Sequence, residues 1–248
     1  MKNVLLLLLC ISLSAEAQEL KMTKKTLTSN PFTEEIEEYQ VLKSNKNIKH
    51  GTYTRLVNDK VVETGFYKDN QKDSVWTKFF PQTGAIREQG NYQNNQRVGA
   101  WSFYNFKKQK EQVYDFTARR LVETIEDSSA KIGWVIMGAD TIQTNIEFVA
   151  TLIGGSSAFA EILTKNIRYP IAAVKKGISG RVLVSLTVDE DGKATAHKVV
   201  KPLNKDCDAE ALRVSLLLID WLPAIKDGKP VKSVCLVPVS FNFGGIVR

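Results

Sequence analysis

Apolar and polar residues alternate with a period of two from Arg181 to Val188, the signature of a half-buried strand. Asp189-Glu-Asp-Gly192 supplies a turn, with Asp191-Gly192 suited to its positive-φ positions, and Lys193 to Lys201 returns as the partner strand. Ahead of this hairpin, Gly154-Gly155 opens a segment with helical spacing, Ser156 to Ile167, and predicts an N-cap at Ser156 or Ser157. Tyr169-Pro170 breaks that helix, Pro170 stands where a second short one starts, and Gly177 stops it. Cys207 to Arg213 begins a further helix, closed by Trp221-Leu-Pro223, and Gly228-Lys-Pro-Val231 leads into a last strand over 231–243. In that strand Val231, Ser233, Cys235, Val237, Val239 and Phe241 share the face turned to the helices. Lys232, Val234, Leu236, Ser240 and Asn242 share the other. Val234 and Leu236 are unusual for a solvated face: either the first half of the chain covers them or they belong to a partner surface.

The first half has a period of 25 residues, which separates Gly65-Phe-Tyr67 from Gly90-Asn-Tyr92, Trp76 from Trp101, and Phe79 from Tyr104. An earlier partial copy, His50-Gly-Thr-Tyr53, aligns with Val98-Gly-Ala-Trp101. Asn58-Asp59 and Pro81-Gln-Thr-Gly84 are turn signals between alternating stretches, so each copy reads as a β-hairpin. The pattern resembles MORN-like repeats, and the resemblance implies hairpins stacked into a one-layer antiparallel sheet. Trp76, Phe79, Trp101 and Tyr104 have two readings. They form either an exposed stripe for glycan, peptide or lipid, or the repeat core. The core is favoured, because a single sheet has little else to bury. Glu34 to Leu42 predicts the first strand of this sheet, after a polar, Thr-rich and loosely ordered stretch over 19–33. Lys131 to Met137 is β-rich and reads as an extension of the repeat sheet, and Thr144 to Ile153 as an extended lead-in.

At the N-terminus, Lys2, the apolar run Val4 to Ser14 and the small-x-small site Ala15-Glu-Ala17 predict a cleaved secretory signal peptide with Gln18 as the mature start. The run is far shorter than the about 20 residues of a membrane-spanning helix. Cys10 is preceded by Leu7-Leu-Leu9 and not by a small residue, so lipid attachment there is not expected. The organisation expected is a signal peptide over 1–17, an N-terminal segment over 18–35, repeats over 36–116, a connecting segment over 117–150 and a C-terminal module over 151–248.

The C-terminal motifs, taken in order, resemble the TonB C-terminal domain family. They are the Gly-Gly opening, Tyr169-Pro170, Gly177-Ile-Ser-Gly-Arg-Val182, Asp191-Gly192, Asp208-Ala-Glu-Ala-Leu-Arg213, Trp221-Leu-Pro-Ala224, Gly228-Lys-Pro-Val231 and Pro238-Val-Ser-Phe241. With the repeats, the resemblance implies an α+β protein: an N-terminal antiparallel β-hairpin repeat sheet, then helices packed on a three-stranded antiparallel sheet. Tyr169, Pro170, Gly180, Asp208, Glu210 and Trp221 are then structural motif positions. The strand Val231, Lys232, Ser233, Val234, Cys235, Leu236, Val237, Val239, Phe241, Phe243 becomes a sheet edge that binds an extended peptide, with Arg181–Val188 in the middle of the sheet. The partner implied is a segment of an outer-membrane transporter or another envelope protein, the location the periplasm, and the activity binding without catalysis. A homodimer stays open. An envelope scaffold whose repeat sheet binds glycan or lipid is the second reading and a hydrolase the third. The seven prolines form no Pro-rich spacer of the kind an energy transducer needs to cross the periplasm.

Charge and candidate chemistry add little. The net charge of +7 comes from lysines spread along the chain, without a dense basic block, and export makes nucleic acid an improbable partner. After processing Cys207 and Cys235 remain, either as a disulfide in an oxidising compartment or as two buried thiols. The two histidines, His50 and His197, lie near no nucleophile motif. Asp189, Glu190 and Asp191 lack the ligand ladder of a calcium loop, no metal spacing is present, and no cofactor is expected.

Overall fold

The computed structural model describes residues 19–30, 32–124 and 131–242; the predicted signal peptide and Phe243 lie outside them. Nine strands form one meander in which each pairs only with its sequence neighbours: β1 (Leu20–Asn30), β2 (Thr33–Leu42), β3 (Lys49–Val57), β4 (Lys60–Lys68), β5 (Gln71–Phe79), β6 (Ile86–Gln93), β7 (Gln96–Tyr104), β8 (Lys110–Asp115) and β9 (Arg120–Thr124). Three of its turns are two-residue loops with both residues at positive φ: Asn58-Asp59, Asp69-Asn70 and Asn94-Asn95. Asn and Asp tolerate that conformation, and its twist suits a hairpin. One Asn of each loop also stitches the preceding hairpin. The side-chain oxygens of Asn58, Asn70 and Asn95 accept from the backbone N–H groups of Glu34, Lys49 and Lys72 at 2.8, 2.8 and 2.7 Å.

The 25-residue period has a packing cause. Trp76 and Trp101 are each only 1 % exposed. Each indole lies over a glycine of the preceding strand: a Cβ on Gly65 would sit 2.2 Å from the Trp76 ring, and one on Gly90 2.3 Å from Trp101. The Nε1–H of Trp76 donates to Phe66 O at 3.1 Å, and that of Trp101 to Asn91 O at 3.0 Å. Lys72 Nζ lies 3.7 Å over the Trp76 ring and bonds Glu63 at 3.0 Å; Arg97 lies 4.3 Å over Trp101 and bonds Glu88 at 3.1 Å. Each repeat is thus a layered stack of glycine, indole, cation and carboxylate. The buried indoles are the repeat core, not a stripe open to solvent.

Burial alone would raise the Glu63 and Glu88 carboxyls. Lys72, Lys78 and Arg55 around the first, and Lys78, Arg97 and Arg87 around the second, outweigh burial and hold both below the ordinary carboxylate range. Such a group adds stability that is present above its unfolded pKa of about 4.3 and is lost as pH falls through the folded value. The thermal midpoint should therefore be level from neutral pH down to about 5 and fall below about 4. Glu88→Gln should lower it at pH 7 and flatten its acid limb. Melts followed by circular dichroism across pH check this; an unchanged acid limb in Glu63→Gln and Glu88→Gln would place the acid sensitivity elsewhere.

The sheet starts one strand earlier than the pattern predicts. β1 pairs with β2 from Leu20↔Leu42 to Asn30↔Thr33. It is a mostly exposed edge strand, so its lysines and threonines carry no apolar alternation to read.

The second sheet has five strands, not three, in the order β11-β10-β18-β13-β14, from β10 (Lys131–Met137), β11 (Asp140–Ile146), β13 (Gly180–Val188), β14 (Ala194–Lys201) and β18 (Ser233–Phe241). β10, expected to extend the repeat sheet, belongs here instead, with β11 as its hairpin partner. The short strand β12 (Thr151–Leu152) pairs with β15 (Trp221–Leu222), and β16 (Ala224–Lys226) with β17 (Lys229–Val231). Among the described residues three helices accompany the sheet: α1 (Gly155–Asn166), α2 (Ile171–Lys175) and α3 (Lys205–Ser215). Val182, Val184, Val239 and Phe241 from the strands share one core with Ala211 and Val214 of α3, and each of the six is at most 1 % exposed. Cys207 and Cys235 are both buried and free, so the disulfide alternative is corrected; burial pushes both thiols up, Cys235 to about 11.

Candidate functional site

β13 runs beside β18 in unbroken register from Gly180↔Phe241 to Val188↔Ser233, so one side of β18 is fully laddered. The other side is covered only at its start, where Trp134↔Val234 and Val135↔Ser233 are paired and Ile136 N donates to Lys232 O at 2.9 Å. The expected edge is therefore an interior strand for its first residues and an edge beyond them. Backbone groups of an antiparallel strand point alternately to its two sides. Since Lys232 faces β10, so do Val234, Leu236, Pro238 and Ser240. Among the described residues, the N–H and C=O of Leu236 and Ser240 and the C=O of Pro238 have no ladder partner on that side. Pro238 has no N–H to offer.

β10 diverges from β18 beyond Trp134 and leaves a groove of about 460 Å³ between them. Ile132 and Trp134 of β10 and Leu236 of β18 form its rim, and Leu152, Phe159 and Trp221 also line it. Ile132, Trp134 and Leu236 are 61 %, 45 % and 55 % exposed. The side chains of Ser233, Cys235, Val237, Val239 and Phe241 are buried on the helix side, as the alternation predicts.

The repeat sheet reaches this groove through β8. The Glu111 carboxylate accepts from Ser156 N at 3.1 Å and from Ser156 Oγ at 2.8 Å, so a side chain 45 residues upstream caps α1. No capping side chain of α1's own was found: its N-cap is Gly154 in the left-handed region, and Ser157 Oγ instead donates to Tyr104 O at 2.7 Å. A Cβ on Gly155 would lie 2.6 Å from the Glu111 carboxyl carbon, which gives the second glycine its reason. The buried Gln112 side chain donates to Leu152 O at 3.1 Å and accepts from Gly154 N at 2.9 Å, and Arg87 meets Glu161 at 2.9 Å. The sequence gives no signal for this docking, because its partners lie far apart in the chain.

The motif residues are tied into the fold. Tyr169 OH donates to Ile178 O, and the Tyr169 ring packs against Phe241 with centroids 5.6 Å apart. Pro170 precedes α2 as its N-cap residue. Gly180, at φ 153°, leaves room for Leu203. Asp208 accepts from Leu203 N at 2.8 Å, Glu210 accepts from Arg168 N and Arg213, and Trp221 Nε1 donates to Leu218 O at 2.7 Å. His197 Nδ1 lies 2.9 Å from Ser215 Oγ, but that hydroxyl is fully buried and already donates to Leu212 O, so it is closed to substrate. Burial holds the imidazole below its usual range. Among the described residues no three metal-ligating side chains cluster, and no helix is long and apolar enough to cross a membrane.

No curated protein and no solved structure matches the chain. A family match exists for the part that carries α2, β13, β14, α3 and β18. Residues 165–243 match the family model of the Gram-negative bacterial TonB protein C-terminal, so this portion of the chain is TonB-like in sequence as well as in its motifs.

Proposed function

We propose that this chain is an exported, non-enzymatic periplasmic protein that captures an extended segment of an outer-membrane transporter along the uncovered part of β18. The observation that carries this reading is the run Leu236–Ser240, whose backbone groups lack a partner on one side, beside an apolar groove. Strand addition needs those two things: a free ladder for affinity and pockets for alternate side chains. The scaffold reading, in which the repeat sheet binds glycan or lipid, is not favoured, because the indoles it would use are buried. A pull-down from envelope extract with the mature chain as bait should enrich transporters. Enrichment of polysaccharide or peptidoglycan alone would overturn the proposal.

Pro238 makes a sharper prediction. Pro238→Ala supplies the donor that the uncovered ladder lacks. One added net hydrogen bond is worth about 1 kcal/mol, so the captured segment should bind about five-fold tighter. Unchanged affinity, measured by calorimetry, would mean that the segment does not pair at this position.

A further inference from the structure

We infer that the groove beside β18 selects an extended segment with a bulky apolar side chain next to a lysine or arginine, and that residues outside the TonB-like portion make this choice. The inference rests on the capture proposed above and names what is captured. The TonB-like match covers 165–243, and within it the groove takes only Trp221 and the β18 residues 234–238. The rest of its lining comes from elsewhere and includes Glu111 of the repeat sheet, Ile132 and Trp134 of β10, Leu152 of β12 and Phe159 of α1. The free ladder pairs with any backbone. Discrimination therefore has to come from these side chains.

Two features set the chemistry. The first is apolar: Ile132, Trp134 and Leu236 are large and exposed, and they line the groove together with Leu152 and Phe159. A rim aromatic over an apolar floor is the arrangement in which one bulky anchor residue dominates affinity. The second is charge. Among the described residues Glu111 is the only charged side chain lining the groove, and it has no ion-pair partner there. Its contacts are Ser156 N and Oγ. The N-terminus of α1 offsets about half a unit of charge, so roughly half remains. A carboxylate has about four acceptor sites, and those that Ser156 leaves open suit an incoming ammonium or guanidinium. An acidic residue at the same place would meet Glu111 with like charge.

The test uses the full mature chain and two fluorescein-labelled octapeptides of alternating valine and threonine. One has Leu-Lys at its centre, the other Leu-Glu. Anisotropy titrations at low salt should give the Leu-Lys peptide an advantage of about five-fold, the size of a favourable partly exposed ion pair. That advantage should shrink at high salt and vanish in Glu111→Gln. Trp134→Ala, which leaves the Glu111–Ser156 contact intact, should weaken both peptides about ten-fold. If both peptides bind alike, Glu111→Gln and Trp134→Ala change nothing, and Leu236→Pro still abolishes binding, the capture reading stands and the selectivity is overturned. If neither peptide binds the wild-type chain at all, capture at this edge fails and the selectivity fails with it.

Discussion

Trp101→Ala is expected to lower the unfolding free energy by about 3–5 kcal/mol, and Trp76→Ala by a similar amount. Each indole is 1 % exposed, so its whole surface is exchanged for a cavity or a collapse. Collapse is hard here, because the floor beneath each ring is a glycine with no side chain to fill the space. The loss spreads beyond the ring. Asn91 O loses the Trp101 donor, and Arg97 loses the aromatic face beneath it while still having to neutralise the buried Glu88. The neighbouring rings Tyr92 and Phe116 lose an edge-on partner at 5.1 and 6.0 Å. Urea unfolding followed by both fluorescence and circular dichroism checks the size and the two-state assumption. Val75→Ala, at a side chain 52 % exposed, serves as the control and should shift stability by well under 1 kcal/mol. Losses of that small size at both tryptophans, together with lost glycan or lipid binding, would make the rings a ligand site and not a core.

The repeat was legible because its core residues are rare and large: two tryptophans and two glycines at one spacing leave little room for coincidence. β1 was not, since lysines and threonines on an exposed edge carry no apolar periodicity. Lys131 to Met137 read correctly as strand, yet its partner did not. β10 meets β18 across about a hundred residues of sequence, and alternation specifies which face a strand buries, not which strand lies beside it. The same limit hid Glu111. Ser156 and Ser157 offered a local cap for α1, and local chemistry predicts one of them at the N-cap. The docking of the repeat sheet overrode that choice by bringing in a full carboxylate. Cys207 and Cys235 illustrate a third case. Both positions are apolar in pattern, which fits a buried thiol as well as a bridge, and only the fold separates the two.

Leu236→Pro should abolish capture of an extended segment while leaving the fold in place. The reasoning is directional. Leu236 points its backbone groups away from β13, so losing its N–H removes no bond from the ladder that holds β18 in the core. A proline is tolerated where the missing donor faces an open edge, and Pro238 already shows one such residue in this strand. The Leu236 side chain is 55 % exposed, so little packing goes with it. For an incoming strand the change is severe. With Pro238 in place, Ser240 would be the only N–H donor left on the uncovered side from Leu236 to Ser240. The new pyrrolidine ring would also occupy the space the partner's backbone must enter. One hydrogen bond at about 1 kcal/mol plus the steric block predicts a loss of at least about ten-fold. Leu236→Ala keeps the N–H and removes only the rim contact, so it should cost much less than the proline. Lys232→Ala and Asn242→Ala should have small effects, because backbone pairing does not depend on their side chains. Circular dichroism must show native melting for the proline variant. A folded Leu236→Pro protein that binds as tightly as wild type would mean that the partner is not held by the β18 ladder. Capture would then have to be sought at an outer edge strand of the sheet such as β14, beside the exposed Leu216 and Ile219.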